Sequence, residues 1–181
     1  MDLITMIMAC SLYRDNAIVN AMVKLGSQNN PLQITSVQEN ATVKTITAPN
    51  PRAGEIYVNQ ELANGHIVYI GLMQISSGWL KKYKEQTRIS DLFRPCKNMA
   101  IATMILNHTT KICAHHSAPN PRCALAVYQT GANTSAGKKY AAKIITYAKT
   151  HQIPLTPNFE PIPVKQEDKD IELPMPEFNN P

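Results

Sequence analysis

Apolar positions recur at helical spacing along most of this chain, and only short stretches break the rhythm. Ile18, Ala21, Met22 and Leu25 fall on one face and predict an amphipathic helix over Asn16 to Leu25. Gly26 follows where a helix-terminating glycine belongs, and Asn29-Asn30-Pro31 reads as a turn. Residues 32–53 lose the helical period and are polar and rich in Thr, Val and Pro. Within them Thr42 to Thr47 suits a short strand, and the rest reads as loop. Glu55 to Asn64 is a helix ended by Gly65, and Trp79 to Tyr83 begins a short one. Pro95 precedes a longer helix over about Asn98 to Ile112, with Met99, Ala102, Ile105 and Ile112 on one face. Pro121 is placed as the first residue of a helix that carries Ala124 to Gln129. Lys138 to His151 is the last helix, with Tyr140, Ala141, Ile144, Ile145 and Ala148 inward. Ahead of all these, Met1 to Leu12 is a largely apolar run with Asp2 as its only charge, which predicts a buried first helix. The fold class is therefore mainly α, an α+β arrangement with at most a small β element.

The rhythm stops near residue 150. Seven of the 13 prolines lie in residues 151–181, with acidic residues clustered between them. A segment of that composition buries too little apolar surface to offset its chain entropy. The chain reads as one domain over residues 1–150 and a Pro-rich acidic tail over residues 151–181, extended or disordered. The tail is either a partner-binding arm or a solvated end. There is no internal repeat.

Composition narrows the function classes. No run reaches the roughly 18 apolar residues that a membrane-spanning helix needs. Residues 1–150 carry 16 Lys/Arg against 7 Asp/Glu, and residues 151–181 carry 2 against 6, so the domain is basic and the tail acidic. A basic domain suits an anionic polymer, whether its charges are carboxylates or phosphates; the plain alternative is a solvated basic surface. No nucleic-acid motif of the usual kinds is present, and the aromatic residues are not interleaved with Lys/Arg, so no nucleic-acid partner is expected. The run before Leu12 lacks the basic start of a signal peptide, and Ile7-Met8-Ala9-Cys10 is only a faint lipoprotein-like pattern.

The four cysteines, Cys10, Cys96, Cys113 and Cys123, allow two disulfides in three connectivities, or four reduced buried thiols. The short separation of Cys113 and Cys123 suits a local bridge, and Cys10 with Cys96 would then tie the first helix to the middle of the domain. No cysteine pair has the spacing of a zinc site. His66, His108, His115, His116 and His151 have no companion ligands at metal spacing, so no metal or other cofactor is expected.

The stretch Tyr69-Ile70-Gly71-Leu72-Met73-Gln74-Ile75-Ser76-Ser77-Gly78-Trp79 carries the densest chemistry. Gly71 permits close backbone approach in a groove. Gln74 offers a donor and an acceptor, as a sugar's hydroxyl and acetamido groups require. Leu72 and Ile75 belong to the core, and Met73 suits an apolar patch against a sugar ring. Three further blocks accompany it: Gly26-Ser27-Gln28-Asn29-Asn30-Pro31, Asp91-Leu92-Phe93-Arg94-Pro95-Cys96-Lys97-Asn98 and Ala124-Leu125-Ala126-Val127-Tyr128-Gln129-Thr130-Gly131. Their order and spacing resemble the lytic transglycosylases of type IV secretion and conjugation systems, over roughly residues 3–150. The resemblance implies a lysozyme-like fold and an exported or periplasmic setting, where disulfides persist. It implies peptidoglycan glycan strands as the substrate, cleaved to 1,6-anhydro-muramyl products, and secretion-apparatus proteins as partners. Ser27, Met73, Gln74, Tyr128 and Gln129 then become substrate-binding candidates, with the Tyr128 hydroxyl able to orient a carboxylate. The plain reading of Tyr128 and Gln129 is helix packing.

One position departs from the pattern. Family members end their second helix in Glu-Ser, and that Glu performs both proton transfers; here the pair reads Gly26-Ser27. Glycine transfers no proton, and loss of a general acid costs ~10² to 10⁴ in rate. Gln129, where the family prefers Asn, is a milder departure. Glu39, Glu55 and Glu61 are the nearby candidates for a replacement acid. Two readings stand beside each other: a transglycosylase of impaired or absent activity, and a non-catalytic peptidoglycan-binding or scaffold protein on the same fold. The basic domain alone motivates a third, a helical nucleic-acid binder.

Overall fold

The computed structural model describes residues 2–38, 41–82, 87–114 and 120–151. The predicted tail beyond His151 lies outside the described residues, as do Glu39, Tyr83, His115 and His116.

Helix α1 (Leu3–Cys10) is capped by Asp2, whose carboxylate accepts from the Thr5 N–H at 3.0 Å. Only Ile7 and Cys10 are buried on it and Ile4 is 45% exposed, so α1 lays one stripe on the domain instead of sinking into it. Helix α2 (Asn16–Gly26) starts at the Asp15 cap. Ile18, Ala21 and Met22 are buried as expected, together with Val19, Val23 and Ser27, which form an i, i+4, i+8 line, and Leu25 falls off that face to 46% exposure. Leu25 was expected to face the core; Ser27 takes that place at the last turn.

A four-stranded antiparallel sheet follows, in the order β2-β1-β3-β4, from β1 (Gln33–Gln38), β2 (Ala41–Thr47), β3 (Ile67–Ile70) and β4 (Ile75–Ser76). The strand predicted over Thr42 to Thr47 is β2. Its partner β1 was expected to be loop. The reason is visible in its alternation: Ile34 and Ser36 point inward and both are fully buried, so a polar residue sits at a core position and breaks the apolar signal.

Helix α3 (Pro51–Ala63) begins four residues before the expected Glu55, because Asn50 caps it through the Ala53 N–H at 2.9 Å and Pro51 suits its first position. A short α4 (Ser77–Lys82) and a 3₁₀ turn (Ile89–Phe93) lead to α5 (Pro95–Cys113), α6 (Pro121–Thr130) and α7 (Ser135–Thr150). Pro95 is itself the first residue of α5. The buried row of α5 runs through Ala102, Leu106, Thr109 and Cys113, which leaves Ile112, expected inward, 39% exposed. Pro121 opens α6 as predicted, with Asn120 as its cap. Helix α6 packs between α5 and α7, and α7 also packs on α2. Tyr128, on α6, is the largest fully buried side chain and sits in the core with Met22, Ile70 and Met99.

Disulfides join Cys10 to Cys96 and Cys113 to Cys123. Of the three connectivities this is the one with the local bridge. The first ties α1 to the start of α5, and the second joins the end of α5 to the start of α6.

Candidate active-site turn and cleft

The segment between β3 and β4 is a tight turn that three helices hold from different sides. Gly71 sits at φ +73°, and a Cβ there would strike the Leu92 carbonyl oxygen and the Asn98 amide. Ser27, at the end of α2, donates its hydroxyl to the Leu72 carbonyl at 2.7 Å. Tyr128, on α6, donates to the Met73 carbonyl at 2.9 Å. Asn98, on α5, accepts from the Met73 N–H at 2.8 Å and donates to the carbonyls of Leu92 and Ile70 at 2.8 and 3.1 Å. The four sequence blocks therefore meet at one place, and each supplies a group that fixes the same few peptide units. Asn98 received no role from the sequence, although it closes its block; its partner is the close approach that Gly71 permits.

This geometry assigns the predicted site residues plainly. Ser27 and Tyr128 are fully buried and Met73 is 1% exposed, so all three hold the turn from inside. Burial, with the neighbouring Tyr140 adding to it, holds the Tyr128 phenol well above its ordinary range, so it acts as a donor. Leu72 and Ile75 are core residues, as expected. Gln74 takes a left-handed backbone conformation at φ +51° and donates to the carbonyls of Gly71 and Gln33 at 2.8 and 3.3 Å. Gln129 is half-buried; its carbonyl accepts from the Tyr69 hydroxyl at 3.0 Å, and its side-chain Oε1 is enclosed with no hydrogen bond among the described residues. Trp79, on α4, adds a further tie to α6, donating from Nε1 to the Tyr128 carbonyl at 2.7 Å.

Gly26 stands at the edge of this cluster and behaves differently. It is half-exposed, is the last residue of α2, and does not have a positive φ. The helix-terminating role expected of it is filled instead by Gln28 and Asn29, at φ 53° and 68°. A Cβ on Gly26 would meet only the Gln74 side chain, Cγ at 3.3 Å and Cβ at 3.8 Å. The Gly26 carbonyl accepts from Gln33 Nε2 at 2.8 Å. Nothing in the backbone requires glycine here, and a side chain would project beside Gln74.

Of the candidate replacement acids, neither Glu55 nor Glu61 comes within 4 Å of where a Gly26 Cβ would stand. Gly71, opposite Gln33, lies five residues along β3 from His66, so the Gly26 end and the His66 end of the sheet are roughly 15 Å apart. Glu61 belongs to the far end, where its Oε2 lies 2.9 Å from His66 Nδ1. The Ser36 hydroxyl, close by but without a hydrogen bond of good geometry, and then His66 hold the Glu61 carboxyl below its ordinary range. A general acid needs the opposite shift. Glu55 lies on α3 with part of its surface in solvent.

At this far end a cleft of about 580 Å³ opens between the α3–β3 turn, α4 and the end of α6. His66, Ser76, Ser77, Trp79, Lys82 and Gly131 are among its walls. Among the described residues no three His, Cys, Asp or Glu side chains gather as a metal site would require, and no helix is long and apolar enough to cross a membrane.

Residues 32–149 match the family model of the transglycosylase SLT domain. The chain belongs to that family. It is thereby a protein of the lytic-transglycosylase type with a lysozyme-like α+β fold and a peptidoglycan-acting domain. The matched span holds the turn, Asn98, Tyr128 and the cleft, whereas Gly26 and Ser27 lie just ahead of it. No curated protein and no solved structure matches the chain.

Proposed function

We propose that this SLT-domain protein engages peptidoglycan glycan strands and is disabled, or nearly so, for their cleavage because Gly26 stands where the general acid would be. One observation carries this reading: the turn is held by Ser27, Asn98 and Tyr128, while the position beside Gln74 offers no carboxyl group. A lytic transglycosylase without its proton donor retains the surfaces that bind sugar and loses the step that breaks the bond. The disulfides and the family suit an exported, periplasmic setting. A role in holding or opening the wall for a type IV secretion or conjugation apparatus rests on the resemblance of the ordered blocks.

The test is peptidoglycan sedimentation together with mass-spectrometric detection of released muropeptides, for this chain and for Gly26→Glu. Co-sedimentation of both proteins, with 1,6-anhydro products from the Glu variant alone, is the expected result. Release of those products by the unaltered chain would overturn the assignment of Gly26. Failure of either protein to sediment with peptidoglycan would remove the binding reading.

A further inference from the structure

Helix α7 shows solvent a face of one sign. Lys138, Lys139, Lys143 and Lys149 are all exposed on it, and the helix carries no acidic residue. The helices α2 and α6 pack against it, carry no acid either, and add Lys24 and Arg122. Among the described residues none of the four lysines makes an ion pair. Lys139 and Lys143 stand four positions apart, a spacing at which like charges on a helix repel. Ala142 and Ile145, both half-buried, continue one row between Lys138 and Lys149, so the face has an apolar middle with a lysine at each end. Such a face suits an anionic segment with apolar residues among its charges.

The chain carries a segment of that kind directly after this helix. Glu167, Asp168, Asp170 and Glu172 follow one another closely, with Ile171 among them and Leu173 next. This run starts roughly 16 and ends roughly 21 residues past His151, and a coil of that length spans about 20–27 Å. Lys143, Lys139 and Lys138 lie about 12–20 Å back from His151 along the α7 axis, so the run reaches them. A single exposed ion pair is weak. A tether of this length holds the run at about millimolar effective concentration, so several weak pairs act together. We propose that the acidic run Glu167 to Glu172 folds back onto the lysine face of α7 and withholds that face from other anionic polymers. The tail is then an arm whose partner is its own domain. The inference is independent of the peptidoglycan reading.

The full chain, dilute and at low salt, is treated with a carbodiimide, which joins a carboxylate to a touching lysine amine as an amide with loss of water. Mass spectrometry is expected to find links within one chain from Glu167, Asp168, Asp170 or Glu172 chiefly to Lys138, Lys139 and Lys143. Links to Lys24, Lys44, Lys97 and Lys111 should be several-fold rarer, and raising the salt to about 0.5 M should suppress the α7 links several-fold. A second variant of the full chain combines Glu167→Gln, Asp168→Asn, Asp170→Asn and Glu172→Gln. Amide resonances of α7 should shift in it while those of β1 and β3 stay in place. Poly-L-glutamate, the probe for an anionic polymer, should bind it several-fold more tightly than the unaltered chain. Links spread evenly over the domain's lysines, links only between chains, or α7 resonances identical in the two proteins would each overturn the contact. Equal affinity for poly-L-glutamate would overturn the shielding.

Discussion

The turn at residues 71–74 and the end of α2 at Gly26 are neighbours, yet they are built on opposite terms. At the turn Gly71 is pressed against Leu92 and Asn98, and the carbonyls and N–H groups around it are held by Ser27, Asn98 and Tyr128. At Gly26 a side chain has a helical backbone to grow from and meets one neighbour, Gln74, whose Cγ would lie 3.3 Å from the new Cβ and must give by a few tenths of an ångström. The first region is framework, and the framework is complete. The second is, on the proposed reading, the place of the general acid, and its backbone there is helical. On the proposed reading, a lysozyme-like scaffold keeps its architecture while the side chain that would make it an enzyme is missing.

The largest expected effect comes from filling the gap. Gly26→Glu should raise muropeptide release by ~10² to 10⁴ over the unaltered chain, the usual worth of a positioned general acid. Its stability should stay within about 1 kcal/mol of the unaltered chain, since the helix propensity gained over glycine is offset by the shift that Gln74 must make. A Glu variant that folds, binds wall and releases nothing would break the comparison by showing that the framework alone does not orient an acid. Next in size is damage to the framework. Asn98→Ala removes the partner of the buried Met73 N–H and a donor to the carbonyls of Leu92 and Ile70, at ~1–3 kcal/mol for each group left unsatisfied, so a loss of about 3 kcal/mol or more is expected in chemical denaturation. Tyr128→Phe removes only the bond to the Met73 carbonyl and keeps the ring in place, so about 1–2 kcal/mol is expected. Equal losses for the two would mean that the turn is not held chiefly through Asn98.

Much of this was readable before any coordinates, and the reasons it was readable are particular. Helices α2, α5, α6 and α7 announce themselves through apolar period and through Pro121 at a helix start. The close approach expected at Gly71 is there, although the sequence reading placed it in a groove and the structure places it in the turn between β3 and β4. Strand β1 was hidden because Ser36 occupies an inward position. The roles of Ser27 and Tyr128 were hidden for another reason: a hydroxyl that could orient a ligand and one that holds a peptide carbonyl look alike in a sequence, and burial alone separates them. The Glu61–His66 pair was invisible as a pair, since five residues span a helix end and a strand start, and only the Gly65 turn between them brings the side chains together.

That pair supplies the smallest effect, and it bears on whether Glu61 can stand in for the missing acid. A stand-in needs a carboxyl held neutral near neutral pH, with its folded pKa raised. Ser36 and His66 act in the other direction and lower it from its ordinary 4.5. A lowered folded pKa means that the ionised group stabilises the fold above the unfolded value and that this stabilisation is lost as pH falls through the folded value. Thermal stability should therefore be level above about pH 5 on this account and decline below 4.5, and Glu61→Gln should flatten part of that decline. Asp91, lowered by its bond to Lys97 at 2.9 Å, contributes to the same limb and remains in the variant. An acid limb that steepens in Glu61→Gln, or stability that rises as pH falls through 4.5, would mean that the Glu61 pKa is raised, and Glu61 would return as a candidate proton donor.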